Sequence, residues 1–363
     1  MRGAEHSEVT FESRVRGCLL GGAIGDALGA PVKFDSIADI RHHHGPAGLT
    51  DLVADWQGEI GLVTDDTQMA MFTVEGLIRA DVRSRQRGFA SEVEVVRHAY
   101  LRWLDTQWHT APPPADELVR TGWLREQPWL YSRRAPSDTC LSGLRHSPGP
   151  KTAPGEPGAI NPGSKGCAAV TRSAPFGLSA QDARTAFRLA AQCAQLTHGH
   201  PTGGLAAGAF AAIIFFLGQA HPMAQAVRHT LDLLAEHPAH DETTSALETA
   251  MARATKRNPS PETVETLGGG EMAEEALAIA VYSALAYEHD VEQALLLAVN
   301  HSGASDSTGA ICGNLLGTRH GDTALPQRWL SPLEGRNTLT ELADDYTTEF
   351  TGRPVPFTKY PGC

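Results

Sequence analysis

The chain lacks any CxxC pair and any cysteine–histidine spacing that would hold zinc. Its six cysteines, Cys18, Cys140, Cys167, Cys193, Cys312 and Cys363, are scattered. With residues 1–16 too polar for a signal peptide, they read as reduced thiols of a cytoplasmic protein. No lipidation pattern surrounds Cys363. Positive charge is short: 30 Lys and Arg against 42 Asp and Glu give a formal charge of −12, which disfavours a nucleic-acid backbone as partner. Long apolar runs are also missing. The longest, residues 205–217, is interrupted by Gly208 and reads as a buried helix too short to cross a membrane. No stretch sustains period-2 alternation, so strands are not expected and the fold class is all-α. Neither GxGxxG after a strand nor GxxxxGK[ST] occurs, which removes the common dinucleotide and nucleotide loops.

What is present suits a globular core: 41% of the 363 residues are hydrophobic and 20% charged. The chain centres on residues 61–69, where Thr64-Asp65-Asp66-Thr67 precedes an apolar run. Adjacent carboxylates repel, and burying both without compensation costs several kcal/mol. A hard cation bound through oxygens removes that cost. A helix N-terminus capped by Thr64 with acids in its first turn is the plainer reading, and both can hold together.

Helical periodicity predicts a glycine-rich buried helix over 17–33, ended by Pro31, with Asp26 as a polar group in need of a partner. Its glycines suit close helix packing. Residues 35–60 read as loop and short helix, with Arg41-His42-His43-His44 on a solvated loop. Further helices are expected over 65–80, 93–107, 179–196, 204–217, 222–237, 245–256, 274–286 and 291–299. Trp103 and Trp108 are expected in the core or on a cleft wall. Residues 109–163, rich in Pro, Gly and Ser, read as a long loop able to cover a cleft. Asn161-Pro-Gly-Ser164-Lys165-Gly166-Cys167 is a turn feeding a helix, where free N–H groups can hold a phosphate or merely turn the chain. His198 stands at a helix C-terminus, where it can be a dipole partner. Finally, residues 300–315 run Asn-His-Ser-Gly303-Ala304-Ser305-Asp306-Ser307-Thr-Gly into a small-residue helix, with Ser305 or Asp306 as its cap.

Taken in order, the 17–33 helix, TDDT at 64–67, the 163–172 turn, Thr197-His198 and HSGASDSTGA at 301–310 resemble the ADP-ribosylglycohydrolase family over roughly residues 14–320. Among its members the chain is most similar to bacterial ADP-ribosylarginine hydrolases and the dinitrogenase-reductase activating glycohydrolase. The resemblance implies a single domain over 1–363, a compact orthogonal helical bundle with two Mg²⁺ or Mn²⁺ ions at the base of a cleft. Thr64, Asp65, Asp66, Asp306 and Ser307 fall on the metal ligands, with Asp65 and Asp66 also the catalytic candidates. Ser164, Lys165, Gly166, Cys167, His198 and Gly303 fall on the ADP-ribose site. The implied reaction is hydrolysis of the N-glycosidic bond of ADP-ribosylated arginine on proteins by a monomeric enzyme that binds neither membrane nor nucleic-acid backbone. Other ADP-ribose linkages (serine, O-acetyl-ADP-ribose, nucleobase), or binding without turnover, are the alternatives.

Two positions depart from the family pattern. Ala304 stands where a metal-binding Asp is expected, which reads as a disabled site, whether by a deliberate Asp→Ala change that stalls turnover or by natural weakening. Lys33 stands where some members carry a glutamate near the reacting sugar.

Overall fold

The structure is a computed structural model that describes residues 9–55, 57–116, 119–146, 149, 152–256 and 258–362. The first eight residues of the polar start, Pro148, Pro150 and Cys363 lie outside them. About 63% of the chain is helical, and the described residues contain no strand, only an isolated bridge between Gly166 and Met272. The all-α expectation holds.

Helix α1 (Phe11–Gly29) starts at Thr10, whose hydroxyl accepts the Ser13 N–H, and ends in a 3₁₀ turn containing Pro31. It is followed by α2 (Ile37–His44), α3 (Asp65–Arg87), α4 (Glu92–Trp108) and α5 (Asp138–His146). The expected loop at Arg41–His44 is instead the last turn of α2, capped by Ser36, with His42 and His43 exposed. Short α6 (Ala168–Thr171) and α7 (Ala174–Ser179) lead to α8 (Ala183–Ala194) and α9 (Pro201–Gly218). The expected 179–196 helix is therefore broken before Asp182, which caps α8 through the Thr185 N–H.

With 18 residues α9 is longer than its apolar run, and by length and composition alone it could cross a membrane. It is instead 78% buried and packs against α7, α8, α10 (Met223–Leu234) and α13 (Ala273–Ala286). Between these lie α11 (Asp241–Ala254) and α12 (Pro261–Glu265). The chain closes with α14 (Val291–Val299), α15 (Ser305–His320), α16 (Gln327–Leu330) and α17 (Arg336–Phe350).

The tightest packing joins α1 to α15 in antiparallel fashion. Glycines at each turn of α1 face glycines of α15: a Cβ on Gly25 would strike the Gly309 carbonyl, and one on Gly313 would strike that of Gly21. Small residues let the two backbones touch, at a cost in helix propensity of up to about 1 kcal/mol each. This bears out close packing as the reason for the glycines. The pairing sets Asp26 on α1 beside the first turn of α15.

Helix α3 continues seven residues past the expected end at Ala80, because α17 packs along it and Glu349 pairs with Arg85. The expected loop over 109–163 carries α5, and its described residues Val119 and Thr121 are pinned to the core. Glu75 binds both Arg79 and Arg102 in the core, and these guanidiniums hold the Thr121 and Val119 carbonyls at 2.8 and 3.2 Å. Trp103 is fully buried, whereas Trp108 is exposed and carries Arg145 over its ring at 4.2 Å.

Gly25→Ala or Gly313→Ala is expected to lower unfolding stability by about 3 kcal/mol or more, since the obstructing atoms are backbone. Gly218→Ala, which meets nothing within 4 Å, is expected to be neutral or stabilising by up to about 1 kcal/mol. Urea denaturation followed by far-UV circular dichroism separates the two cases.

Candidate active site

Two helix N-termini meet at the site. The first turn of α3 carries Asp65 and Asp66, and its free N–H groups are satisfied twice over. Thr64 Oγ1 accepts the Asp66 N–H at 3.3 Å, as expected of the cap. Asp26 Oδ2 accepts the Thr64 N–H at 2.9 Å, the Thr67 N–H at 3.2 Å and the Thr67 hydroxyl at 2.5 Å. Asp26 thus finds the partner its burial demanded, although its other oxygen, Oδ1, has none among the described residues. With capping supplied by Thr64 and Asp26, the carboxylates of Asp65 and Asp66 point elsewhere.

Asp66 accepts the Thr171 hydroxyl at 2.6 Å and the Ser307 hydroxyl at 2.7 Å, which ties α3 to α6 and α15. Asp65 Oδ2 accepts the Ser137 N–H at 3.2 Å, and the Asp65 N–H donates to the Arg134 carbonyl. Asp65 Oδ1 takes no hydrogen bond from the described residues. Asp306 accepts the Ser307 N–H at 2.8 Å through Oδ1, and its Oδ2 meets Lys33 Nζ at 2.7 Å. The expected cap of α15 needs correction. Ala304 occupies the cap position without a side-chain bond, while Ser305 and Asp306 lie inside the first turn and Ser305 bonds back to the His301 carbonyl.

This crowding shows in the electrostatics. Burial, then the Asp66 charge, raises the Asp65 carboxyl well above the usual range. Burial, then Asp66 and Asp306, pushes Asp26 up to about 8. Burial, then Asp66, raises Asp306 to about 6, against the pull of Lys33. For Lys33, burial opposes its charge, but Asp306 and Asp66 outweigh it and its pKa rises.

The 161–167 turn reaches the acidic cluster through Cys167. Lys165 does not face it: its ammonium is held by Glu242 at 2.8 Å and Glu274 at 2.5 Å. The Ser164 and Cys167 N–H groups go to the Asn161 and Glu271 carbonyls, while those of Lys165 and Gly166 meet no acceptor among the described residues. A Cβ on Gly166 would sit 3.3 Å from His198 Nε2. His198 is fully buried, with Nδ1 2.8 Å from the Thr197 hydroxyl and Nε2 unpartnered. Burial, then Arg172, lowers its pKa well below 6.5, so the imidazole is neutral. Ser164 Oγ lies 3.2 Å from Thr139 Oγ1, and Cys167 Sγ lies 3.4 Å from Ser307 Oγ, which links this turn to the acidic cluster. Gly303, at φ 137°, accepts the Phe34 N–H through its carbonyl, and a Cβ there would strike Gly269.

A cavity of about 1040 Å³ opens beside this cluster, lined by Lys33, His44, Asp55, Thr64, Arg134 and Glu334 among others. Sequence reasoning missed Ser137 and Arg134, which contact Asp65 from the long loop, and Thr171, which contacts Asp66. No local pattern marks a residue whose partner lies in another segment.

The oxygen donors of Thr64, Asp65, Asp66, Asp306 and Ser307 suit a hard divalent cation in kind. In arrangement they are closed on themselves: among the described residues no three His, Cys, Asp or Glu side chains converge to hold a metal. Hydroxyl donors occupy Asp66, and an ammonium occupies Asp306.

A family model described as ADP-ribosylglycohydrolase matches residues 7–355. The chain belongs to the ADP-ribosylglycohydrolase family. It is also 28% identical over 346 residues, 92% of its length and 95% of the relative's, to an uncharacterised protein of Archaeoglobus fulgidus. A solved structure titled ADP-ribosylglycohydrolase-related protein complex shares the fold, with a TM-score of 0.66, 23% identity, and coverage of 95% of this chain and 99% of the other. The family places the chain among hydrolases acting on ADP-ribose linkages.

The raised carboxyls set a pH dependence. Asp26 titrates at an ordinary 3.8 when unfolded and at about 8 when folded, so the folded state holds the proton more tightly. The stability this contributes is complete below about pH 4 and is lost as pH rises through about 8. With chelator present, the protein is expected to lose stability across that window, at up to about 1.4 kcal/mol per pH unit for one group. Asp26→Asn is expected to flatten the slope in urea melts taken at pH 5, 6.5 and 8.5. An unchanged slope would show that Asp26 is not the titrating group.

Proposed function

We propose that the chain hydrolyses the N-glycosidic bond between ADP-ribose and a guanidinium nitrogen of arginine on a protein. The observation that carries this reading is the meeting of α3 and α15 at the Asp66–Ser307 bond, facing a turn whose free donors suit a pyrophosphate. As the glycosidic bond breaks, the sugar becomes cation-like, and nearby carboxylates favour that state over the neutral substrate. Asp66, fixed by two hydroxyls, would supply the standing negative charge. Asp65, with Oδ1 free, would accept the proton of the attacking water.

The Lys165 and Gly166 N–H groups and His198 Nε2 would hold the phosphates. His198 presents a donor there when Thr197 donates to Nδ1 and leaves the proton on Nε2. The oxygens of Thr64, Asp65 and Asp66 would hold a Mg²⁺ or Mn²⁺ ion, which when bound would supply Lewis-acid polarisation of the ribose hydroxyls; Asp306 and Ser307, the other expected ligands, are engaged by Lys33 and Asp66. Ala304 supports a second reading, in which the chain binds ADP-ribose and turns it over weakly or not at all.

Release of free ADP-ribose from ADP-ribosylated arginine, with and without Mg²⁺, tests the assignment. Ala304→Asp is expected to raise the rate, and Asp65→Asn in that background to lower it at least about 100-fold. If neither the chain nor its Ala304→Asp form releases ADP-ribose while both bind it, the arginine-hydrolase reading fails and the choice lies between another ADP-ribose linkage and binding without turnover.

Calorimetric titration with ADP-ribose checks the other wall. His198→Ala is expected to weaken binding about tenfold or more, the loss of a hydrogen bond to a charged group. Lys165→Ala is expected to change it less than about twofold, because that ammonium is already engaged by Glu242 and Glu274.

A further inference from the structure

Lys33 follows the 3₁₀ turn at the end of α1 and sends its side chain inward. Its Nζ lies 2.7 Å from Asp306 Oδ2; Asp306 is fully buried and the Lys33 side chain is 21% exposed. Two backbone anchors hold this segment against the start of α15. The Phe34 N–H donates to the Gly303 carbonyl at 2.7 Å, and the Ile37 N–H donates to the Ser302 hydroxyl at 3.0 Å. Phe34 keeps φ at 67°, a conformation that a non-glycine residue holds only when its surroundings impose it. The ammonium is therefore built into the cleft. Beside it, Ala304 is buried at the head of α15 and offers no side-chain oxygen.

We propose that the Lys33 ammonium is the resident cation at Asp306, taking the place of one divalent ion, so that this cleft binds at most one. The inference rests on the reading of the cleft as a divalent-cation site. A buried carboxylate beside Asp66 needs an opposite charge close by. Lys33 provides one that is covalently attached, and so competes at a high effective concentration with ions in solution. A second dication at Asp306 Oδ2 would sit within a few ångströms of Nζ and be repelled by it. Ala304 removes the carboxylate that would have drawn such an ion in. What remains for a free ion is the side of the cluster formed by Thr64, Asp65 and Asp66.

The test is Mn²⁺ titration of the full chain, with free Mn²⁺ followed by electron paramagnetic resonance. The variants are Lys33→Gln, Lys33→Met, Ala304→Asp and the Lys33→Met/Ala304→Asp pair. Lys33→Met removes the charge without adding an oxygen that could itself ligate, and melting without metal verifies that each variant is folded. The native chain is expected to hold no more than one Mn²⁺. Both Lys33 variants are expected to tighten binding at least about tenfold or to add a second ion. Two ions on the native chain, or no change in number and affinity in either Lys33 variant, would overturn the proposal while leaving the cation site intact. If neither the native chain nor any variant binds Mn²⁺, the cation reading of the cleft falls together with this proposal.

Discussion

The contact between the backbones of α1 and α15 is the constraint on which the rest depends. Glycine faces glycine or a carbonyl at successive turns, so the two helices have no side-chain layer between them that could compress or slide. Asp26 on α1 and Asp306 on α15 are thereby held at a fixed separation. Asp26 then takes three donors from the head of α3, which locks that helix to α1. The acidic turn of α3 inherits its position from a packing contact that contains no acid.

The same packing forces four carboxylates, Asp26, Asp65, Asp66 and Asp306, into a buried volume. Burial and repulsion between neighbours disfavour the charged forms of Asp26, Asp65 and Asp306. Three kinds of compensation are visible. Helix N-termini supply aligned N–H groups, which Asp26 uses at α3 and Asp306 at α15. Hydroxyls of Thr171 and Ser307 bind Asp66. Lys33 supplies a full positive charge. Only the last is able to neutralise a carboxylate, and it makes direct contact with Asp306 alone. Asp306, with Lys33 against it, is raised less than Asp26, which has no cation in contact among the described residues.

Elements with a complete local signal were legible in the sequence. The Thr64 cap, the 291–299 helix and the apolar helix at 204–217 depend on residues within a few turns, and the structure has them. The bounds of α3 were less legible, because what extends it to Arg87 is α17, at the far end of the chain. The long loop carried no periodicity, yet Glu75, Arg79 and Arg102 fix it from inside the core. Lys165 shows the limit most clearly. Its place in a glycine turn suggested a phosphate ligand, and its charge instead answers Glu242 and Glu274, which no local pattern announces. His198 is the reverse case: its local pattern says only helix terminus and the family resemblance alone put it on the ADP-ribose site, yet it is a buried ring whose Nε2 has no partner among the described residues and lies beside the same turn.

Lys33 and Ala304 act on the same quantity. Lys33 places a positive charge against the cluster and Ala304 brings none, so under the proposed cation site both would lower the demand for cations from solution. Lys33 alone beside a full set of carboxylates would leave more negative charge to be matched. Ala304 alone would leave Asp306 buried with a ligand partner missing and no fixed counter-charge. Together they leave Asp306 paired within the protein and the head of α15 closed by a methyl group. The cluster remains acidic around Asp65 and Asp66, where the proposed reaction would place a cation-like sugar. On the α15 side it has already satisfied itself.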